Sequence, residues 1–232
     1  MVVELKRLVQ LIFVCMLLVV PVSAAAGQHV VVIDPAHGGK DGGVKLSQGT
    51  YEKNVTLAIA NLVKNNLSNA DGIEVRLTRS DDRDVSLAAR KMIAEKPDTK
   101  LLVSLHINAG FGQNAEGYEV YYLGATAPSV QKDGSGENLR DIEQTRCFND
   151  SVRFAQLVQR NMGTVFPRKG RGLRNAPVHS LQSLSIPAVL LESGFATNLE
   201  EKKKLRDIDV QKSIADALTR SIQQYFTTDG ES

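Results

Sequence analysis

Near the middle of the chain, residues 101–109 read LLVSLHINA. Apart from Ser104, the run is apolar until it reaches His106. An unbroken apolar run is typical of a strand buried on both faces, as in a parallel sheet covered by helices. A buried histidine needs a polar partner, and a metal is one such partner. The stretch therefore predicts a central parallel strand that carries His106 near its end.

Two other apolar runs also end in an ionisable side chain. Residues 30–37 read VVVIDPAH and end at His37, and residues 188–192 read AVLLE and end at Glu192. Side chains at strand ends, where loops begin, are where α/β enzymes usually assemble their chemistry. The three runs together predict a metal site with a carboxylate beside it.

Strand and helix patterns alternate along the chain. Continuous or alternating apolar runs predict strands, and apolar positions spaced three or four residues apart predict helices. This alternation predicts an α/β fold, a single-domain sandwich of a mostly parallel twisted sheet flanked by helices. Irregular segments are predicted at 37–49, 124–149 and 167–185, strands at 29–34, 73–78, 101–106, 118–123 and 188–192, and helices at 54–67, 86–95, 150–162 and 210–226.

The first 24 residues have the pattern of a signal peptide. Lys6 and Arg7 precede an apolar stretch, residues 8–20, and small residues follow up to Ala24. The apolar stretch is shorter than a typical membrane span. We expect cleavage after Ala24, which leaves one domain over residues 25–232; an uncleaved membrane anchor is the alternative. The protein is then exported without stable membrane insertion, to the periplasm rather than to an extracellular wall.

Composition narrows the classes of function. Removing residues 1–24 takes away Lys6, Arg7 and Glu4, so the formal net charge falls from +2 to +1. Bulk charge therefore excludes a nucleic-acid partner. Cys147 is then the one cysteine, which excludes an internal disulfide. Tryptophan is absent, which excludes a carbohydrate platform built on indole rings. The remaining 208 or so residues suit one monomeric domain with a sizeable core.

Glycines follow the first histidine closely. Gly38-Gly39 comes directly after His37, and Gly42-Gly43 comes soon after. Such a loop lets the backbone approach a ligand closely. A phosphate-binding loop is an alternative, but the spacing fits neither the dinucleotide nor the nucleotide-triphosphate pattern, and no Lys-Ser/Thr pair follows. On these residues alone, His37 is either a structural histidine or a ligand.

Two glutamates stand beside these segments. Glu52 lies between the Gly-rich loop and the first predicted helix, where carboxylates are common for dipole reasons alone. Two histidines and a carboxylate with one open position form a recurring catalytic zinc set, although the separations here are long. Apolar neighbours tend to raise the pKa of a carboxyl such as Glu192, which suits a general base. The alternative for Glu192 is an ion pair with Arg174.

Six segments of the chain form a recognisable pattern when taken in order. They are IDPAHGGKDGG (33–43), EKNV (52–55), LTR (77–79), SLHINA (104–109), GYEVYY (117–122) and IPAVLLESGFATN (186–198). Together they make the chain resemble the zinc-dependent N-acetylmuramoyl-L-alanine amidases of the amidase_3 type, over nearly all of residues 25–232. Departures are small: Ala36 stands where glycine is commoner, and Ser193 stands where glycine or threonine is commoner.

The resemblance implies a function and a role for each site residue. It places His37, Glu52 and His106 on the ligands of a Zn²⁺ cofactor. It places Glu192 on the catalytic glutamate, which takes a proton from water and returns it to the leaving amine. The implied reaction is hydrolysis of the amide between N-acetylmuramic acid and L-alanine in peptidoglycan, during cell-wall remodelling or cell separation.

Two questions stay open at this point. Some members of the family carry an inserted helix that covers the zinc and require an activator protein; the corresponding region here, 124–150, is short, which favours an open site.

The second question is the class of function. Three alternatives to the amidase remain: a glycosidase that uses Glu192 with a second carboxylate, a zinc carboxypeptidase, and a non-catalytic wall-binding module. An amidase frees an L-alanine amino group and no reducing sugar, whereas a glycosidase does the reverse.

Overall fold

A six-stranded sheet forms the middle of the molecule. We describe a computed structural model over residues 29–110, 112–122, 139–182 and 184–227, so the predicted signal peptide and most of the segment 124–149 lie outside the described residues. The strands are β1 (His29–Pro35), β2 (Lys45–Ser47), β3 (Thr50–Tyr51), β4 (Ile73–Leu77), β5 (Thr99–Asn108), β6 (Tyr118–Tyr122), β7 (Gly170–Asn175) and β8 (Ala188–Phe195). The helices are α1 (Glu52–Asn66), α2 (Leu87–Ala94), α3 (Leu139–Val165), α4 (Leu199–Leu205) and α5 (Ile208–Thr227).

The strand order in the sheet is β4-β1-β5-β8-β6-β7. The first four strands are parallel, β6 runs antiparallel to β8, and β7 runs parallel to β6. The apolar strand β5 lies inside the sheet between β1 and β8, which explains why its sequence shows no alternation with polar residues. The predicted α/β fold with a mostly parallel sheet is confirmed.

Each face of the sheet packs against a separate apolar layer. In β1, Val31 and Ile33 join a large core beneath α1, α3 and α5, whereas Val32 points to a smaller cluster on the other face. The alternation follows from the two-residue repeat of a strand. The smaller cluster is covered by α2 and by residues from the segment 178–186. His106 lies four residues after Leu102 of this cluster, so its side chain is on the same face of β5.

Five elements differ from the sequence-based expectation. The helix predicted from 150 begins instead at Leu139. Its first turns were predicted as irregular because their sequence shows no apolar face. Strand β7 was predicted as loop, since GRGLRN contains glycines and arginines and lies at the sheet edge. The β2–β3 hairpin and helix α4 were also missed; both are short, and α4 reads LEEKKKL. No helix in the described part of the chain is both long and apolar enough to span a membrane.

Candidate active site

The first histidine lies in a tight turn just after β1. His37 has a φ of 60°, a left-handed conformation that non-glycine residues seldom adopt. Arg90 holds this backbone by donating to the His37 carbonyl at 2.6 Å. On the side chain, the Asp41 carboxylate lies 2.7 Å from His37 Nδ1. Both ends of the residue are therefore fixed, and the imidazole Nε2 faces away from Asp41.

Glu52 links the two histidines. It is the first residue of α1 and only 2% exposed. One carboxylate oxygen lies 3.2 Å from His37 Nε2, and the other lies 3.3 Å from His106 Nδ1. The backbone N–H groups of Val44 and Ile107 donate to the same two oxygens at 3.1 and 3.0 Å. A helix start, a loop and a strand end thus converge on one carboxylate.

The donor atoms of these three residues form one compact group. One ligand atom from each of His37, Glu52 and His106 lies within 4.8 Å of the other two. The two imidazole rings are 5.7 Å apart between centroids and meet edge to face. Two nitrogens and one oxygen at such separations suit a tetrahedral ion such as Zn²⁺ with a fourth position left open. The donor set fits a metal.

The electrostatics of the group agree with that fit. The hydrogen bond to Glu52 raises the pKa of His37 to about 9 against the opposing effect of burial. Burial raises the pKa of Glu52, but hydrogen bonds to His106 and His37 outweigh it and lower that pKa to about 2. The carboxylate therefore attracts positive charge into the group, and a cation that binds there must displace the proton from His37.

Glu192 lies beside this group on β8. It is the register partner of His106 on the neighbouring strand β5. Among the described residues, its buried Oε2 atom has no hydrogen-bond partner. Burial is the main cause that raises the pKa of Glu192, to about 7. The alternative ion pair with Arg174 is wrong, because Arg174 donates to Glu119 at 3.0 Å instead.

Glu119 is the site residue that sequence reasoning missed. It lies on β6 directly opposite Glu192 and is fully buried. Four side chains donate to it: Asn108, Tyr121, Arg171 and Arg174. Asn108, which belongs to the matching segment SLHINA, thus uses its amide NH₂ on this carboxylate. The available signal was the strand Tyr118–Tyr122, which contains one carboxylate among apolar and aromatic residues.

Comparison with known proteins decides the family. Residues 31–224 match the Amidase_3 family, described as N-acetylmuramoyl-L-alanine amidase. The chain belongs to this family. AmiA of Escherichia coli K12, an N-acetylmuramoyl-L-alanine amidase, is 32% identical over 225 residues, which cover 87% of this chain and 78% of AmiA. For AmiC of E. coli O6:H1 the identity is 28%, over 85% of this chain but only 52% of AmiC.

Solved amidase structures share the fold. The catalytic domain of CwlV from Bacillus (Paenibacillus) polymyxa var. colistinus superimposes with a TM-score of 0.72 at 31% identity, covering 86% of this chain and 99% of that domain. The CwlD amidase from Clostridioides difficile, solved in complex with the GerS lipoprotein, gives a TM-score of 0.68 at 26% identity, covering 87% of this chain and 100% of CwlD.

Ala36 and Ser193, the two expected departures from the family pattern, both form hydrogen bonds next to the histidines in this Amidase_3 member. The Ala36 carbonyl accepts a hydrogen bond from the buried Arg79 at 2.9 Å, which braces the backbone just before His37. The Ser193 hydroxyl donates to the His106 carbonyl at 3.0 Å, which ties β8 to the second histidine. Ser193 thus adds a contact that a glycine there would lack.

Proposed function

We propose that this family member is a zinc-dependent N-acetylmuramoyl-L-alanine amidase that cleaves the amide between N-acetylmuramic acid and L-alanine in peptidoglycan. The observation that carries the proposal is the placement of the Glu52 carboxylate 3.2 and 3.3 Å from two imidazole nitrogens. Beside it stands the buried, unpartnered carboxylate oxygen of Glu192. Family membership supports the substrate, and the donor set supports the metal.

His37, Glu52 and His106 are the residues that would hold the ion. When bound, Zn²⁺ supplies Lewis-acid polarisation of the scissile carbonyl and lowers the pKa of a water from about 16 to roughly 7. The chain holds two of the donors in place before any ion arrives, because Asp41 binds the His37 ring, Arg90 binds the His37 carbonyl, and two backbone N–H groups bind Glu52. Three protein ligands would leave a fourth position for water or substrate.

Glu192 moves the protons. Its carboxylate accepts a proton from the attacking water, and the same carboxyl then donates that proton to the nitrogen of L-alanine as the amide bond breaks. Burial raises its pKa to about 7, so the group can both take up and release a proton near neutral pH. Water adds across the amide bond, so the products are a carboxylic acid and an amine.

Digestion of purified peptidoglycan tests the proposal. We expect soluble products with a new L-alanine amino terminus and no new reducing sugar, loss of activity with a chelator, and recovery with Zn²⁺. E192Q is expected to retain zinc and lose turnover by several orders of magnitude. E74Q, the same change at an exposed carboxylate on β4, is the control and should be fully active. New reducing sugars would instead identify a glycosidase.

The cellular setting is part of the same proposal. We propose export through residues 1–24, a monomer in the periplasm without stable membrane insertion, and a role in cell-wall remodelling or cell separation. An activator protein is the partner to test, since the related CwlD was solved with the GerS lipoprotein. Mass analysis of protein recovered from a periplasmic fraction should give a chain that begins after Ala24; recovery of the full-length chain in membranes would contradict it.

A further inference from the structure

A row of charged side chains crosses the sheet from the metal group towards the edge strand. His106 on β5 pairs in register with Glu192 on β8, and Glu192 pairs with Glu119 on β6. Residues directly opposite each other on neighbouring strands share one face and lie about 5 Å apart. On the next strand, β7, Arg174 pairs in register with Tyr121, which lies two residues after Glu119 and so on the same face. The row therefore continues from the base to a cationic end.

Glu119 serves as an anchor rather than as a second base. It is 0% exposed. One of its oxygens accepts from Arg171 Nε and Arg174 Nη2, both at 3.0 Å. The other accepts from the Tyr121 hydroxyl at 2.8 Å and from the Asn108 amide at 3.2 Å. A carboxylate with four donors has no lone pair free for water, so its effect is to hold the two guanidinium groups in place.

Two partly exposed arginine side chains share the Glu119 carboxylate. Arg171 stacks over the Phe195 ring at 5.2 Å from the centroid. The Arg171 and Arg174 side chains are 36% and 46% exposed, so both reach the surface while Glu119 holds one guanidinium nitrogen of each. A pre-positioned guanidinium that is partly exposed, such as that of Arg174, is suited to bind a carboxylate.

The chemistry of the substrate decides which carboxylate this is. Identifying this carboxylate rests on the proposed function. In a muramoyl peptide the lactyl carboxyl of the sugar is consumed in the scissile amide, so every remaining carboxylate belongs to the peptide. We propose that Arg174, supported by Arg171 and Glu119, binds a carboxylate of the stem peptide next to L-alanine and so makes the enzyme prefer an anionic peptide to its amidated form. Arg174 is thus a specificity-determining residue, and Glu119 is a positioning residue.

Two matched substrates test the preference. They are N-acetylmuramoyl-L-alanyl-D-glutamate joined through the γ-carboxyl, with the α-carboxyl either free or amidated. The zinc-loaded wild-type protein should favour the free acid by about 10- to 100-fold in kcat/KM, mostly through KM, as expected for a charged hydrogen bond. R174Q should lose this preference, through a lower kcat/KM for the free acid, while keeping its zinc. R174K should recover part of it.

The control is R76Q, which removes an arginine charge on β4 at the opposite edge of the sheet, where Arg76 binds Asp98 at 2.9 Å. It should keep the wild-type preference. Equal turnover of the two substrates by the wild type, or an unchanged preference in R174Q, would overturn this inference and leave the amidase proposal intact. A zinc-loaded wild type that cleaves neither substrate would instead overturn the amidase proposal. If R174Q does not fold, the wild-type ratio and R174K decide the question.

Discussion

A single methyl group at Gly43 should disturb the metal site directly. Gly43 has a φ of +64°, and a Cβ built there would lie 2.5 Å from His37 Cδ2 and 2.6 Å from Glu52 Oε2. Carbon atoms do not approach other heavy atoms this closely without displacement. The atoms in the way belong to two of the three candidate ligands, and hydrogen bonds to Asp41 and Val44 hold those side chains in place. G43A must therefore move His37, Glu52 or the loop itself.

Gly49 provides a matched control for backbone strain. Its φ is +79°, yet nothing lies within 4 Å of a Cβ built there. G49A should cost only the left-handed penalty, about 1–2 kcal/mol in the free energy of unfolding. G43A should cost that penalty and about 1–3 kcal/mol more for overpacking. Because it shifts ligands, G43A should also weaken zinc binding about 10- to 100-fold, as changes around metal ligands typically do.

Two measurements separate the effects. Urea unfolding of the metal-free proteins gives the strain cost, and competition with a chromophoric chelator gives zinc affinity. We expect G49A to bind zinc like the wild type and G43A to bind it far more weakly. Equal zinc affinity in the two variants, with both folded, would refute the assignment of His37 and Glu52 as neighbouring ligands.

Three further predictions follow from the same geometry. H106A should lower the zinc content of the purified protein well below one ion per chain, measured by metal analysis; full occupancy would remove His106 from the ligand set. D41A should weaken zinc binding about 10-fold by freeing the His37 ring, with little change in stability, since Asp41 is exposed; unchanged affinity in the same competition assay would contradict that orienting role. Activity should fall as the pH drops below about 7, because Glu192 acts as a carboxylate and protonation removes the base. Burial raises its pKa to about 7, and bound Zn²⁺ should move the midpoint of the pH profile below that value. A rate that increases as the pH is lowered from 7 to 5 would exclude Glu192 as the base.

The sequence alone determined the architecture and the strand-end positions of the chemistry. The runs ending at His37, His106 and Glu192 are apolar because their strands lie inside a parallel sheet, and that pattern can be read without coordinates. Strand ends in such a sheet meet at one edge, so the grouping of these side chains could also be anticipated. Edge strand β7 could not be predicted, because its glycines and arginines lack the alternation by which a strand is recognised.

Only the tertiary structure decided how these residues are connected. Glu52 lies 15 residues from His37 and 54 from His106, and its position between them depends on where α1 begins relative to β1 and β5. Glu119 resembles an ordinary strand carboxylate until β7 brings two arginines against it from more than 50 residues away. Hydrogen bonds and ion pairs between distant segments leave no periodic trace in a sequence, whereas burial does, and so the sequence predicted the core and the strands while the electrostatics of the site required the fold.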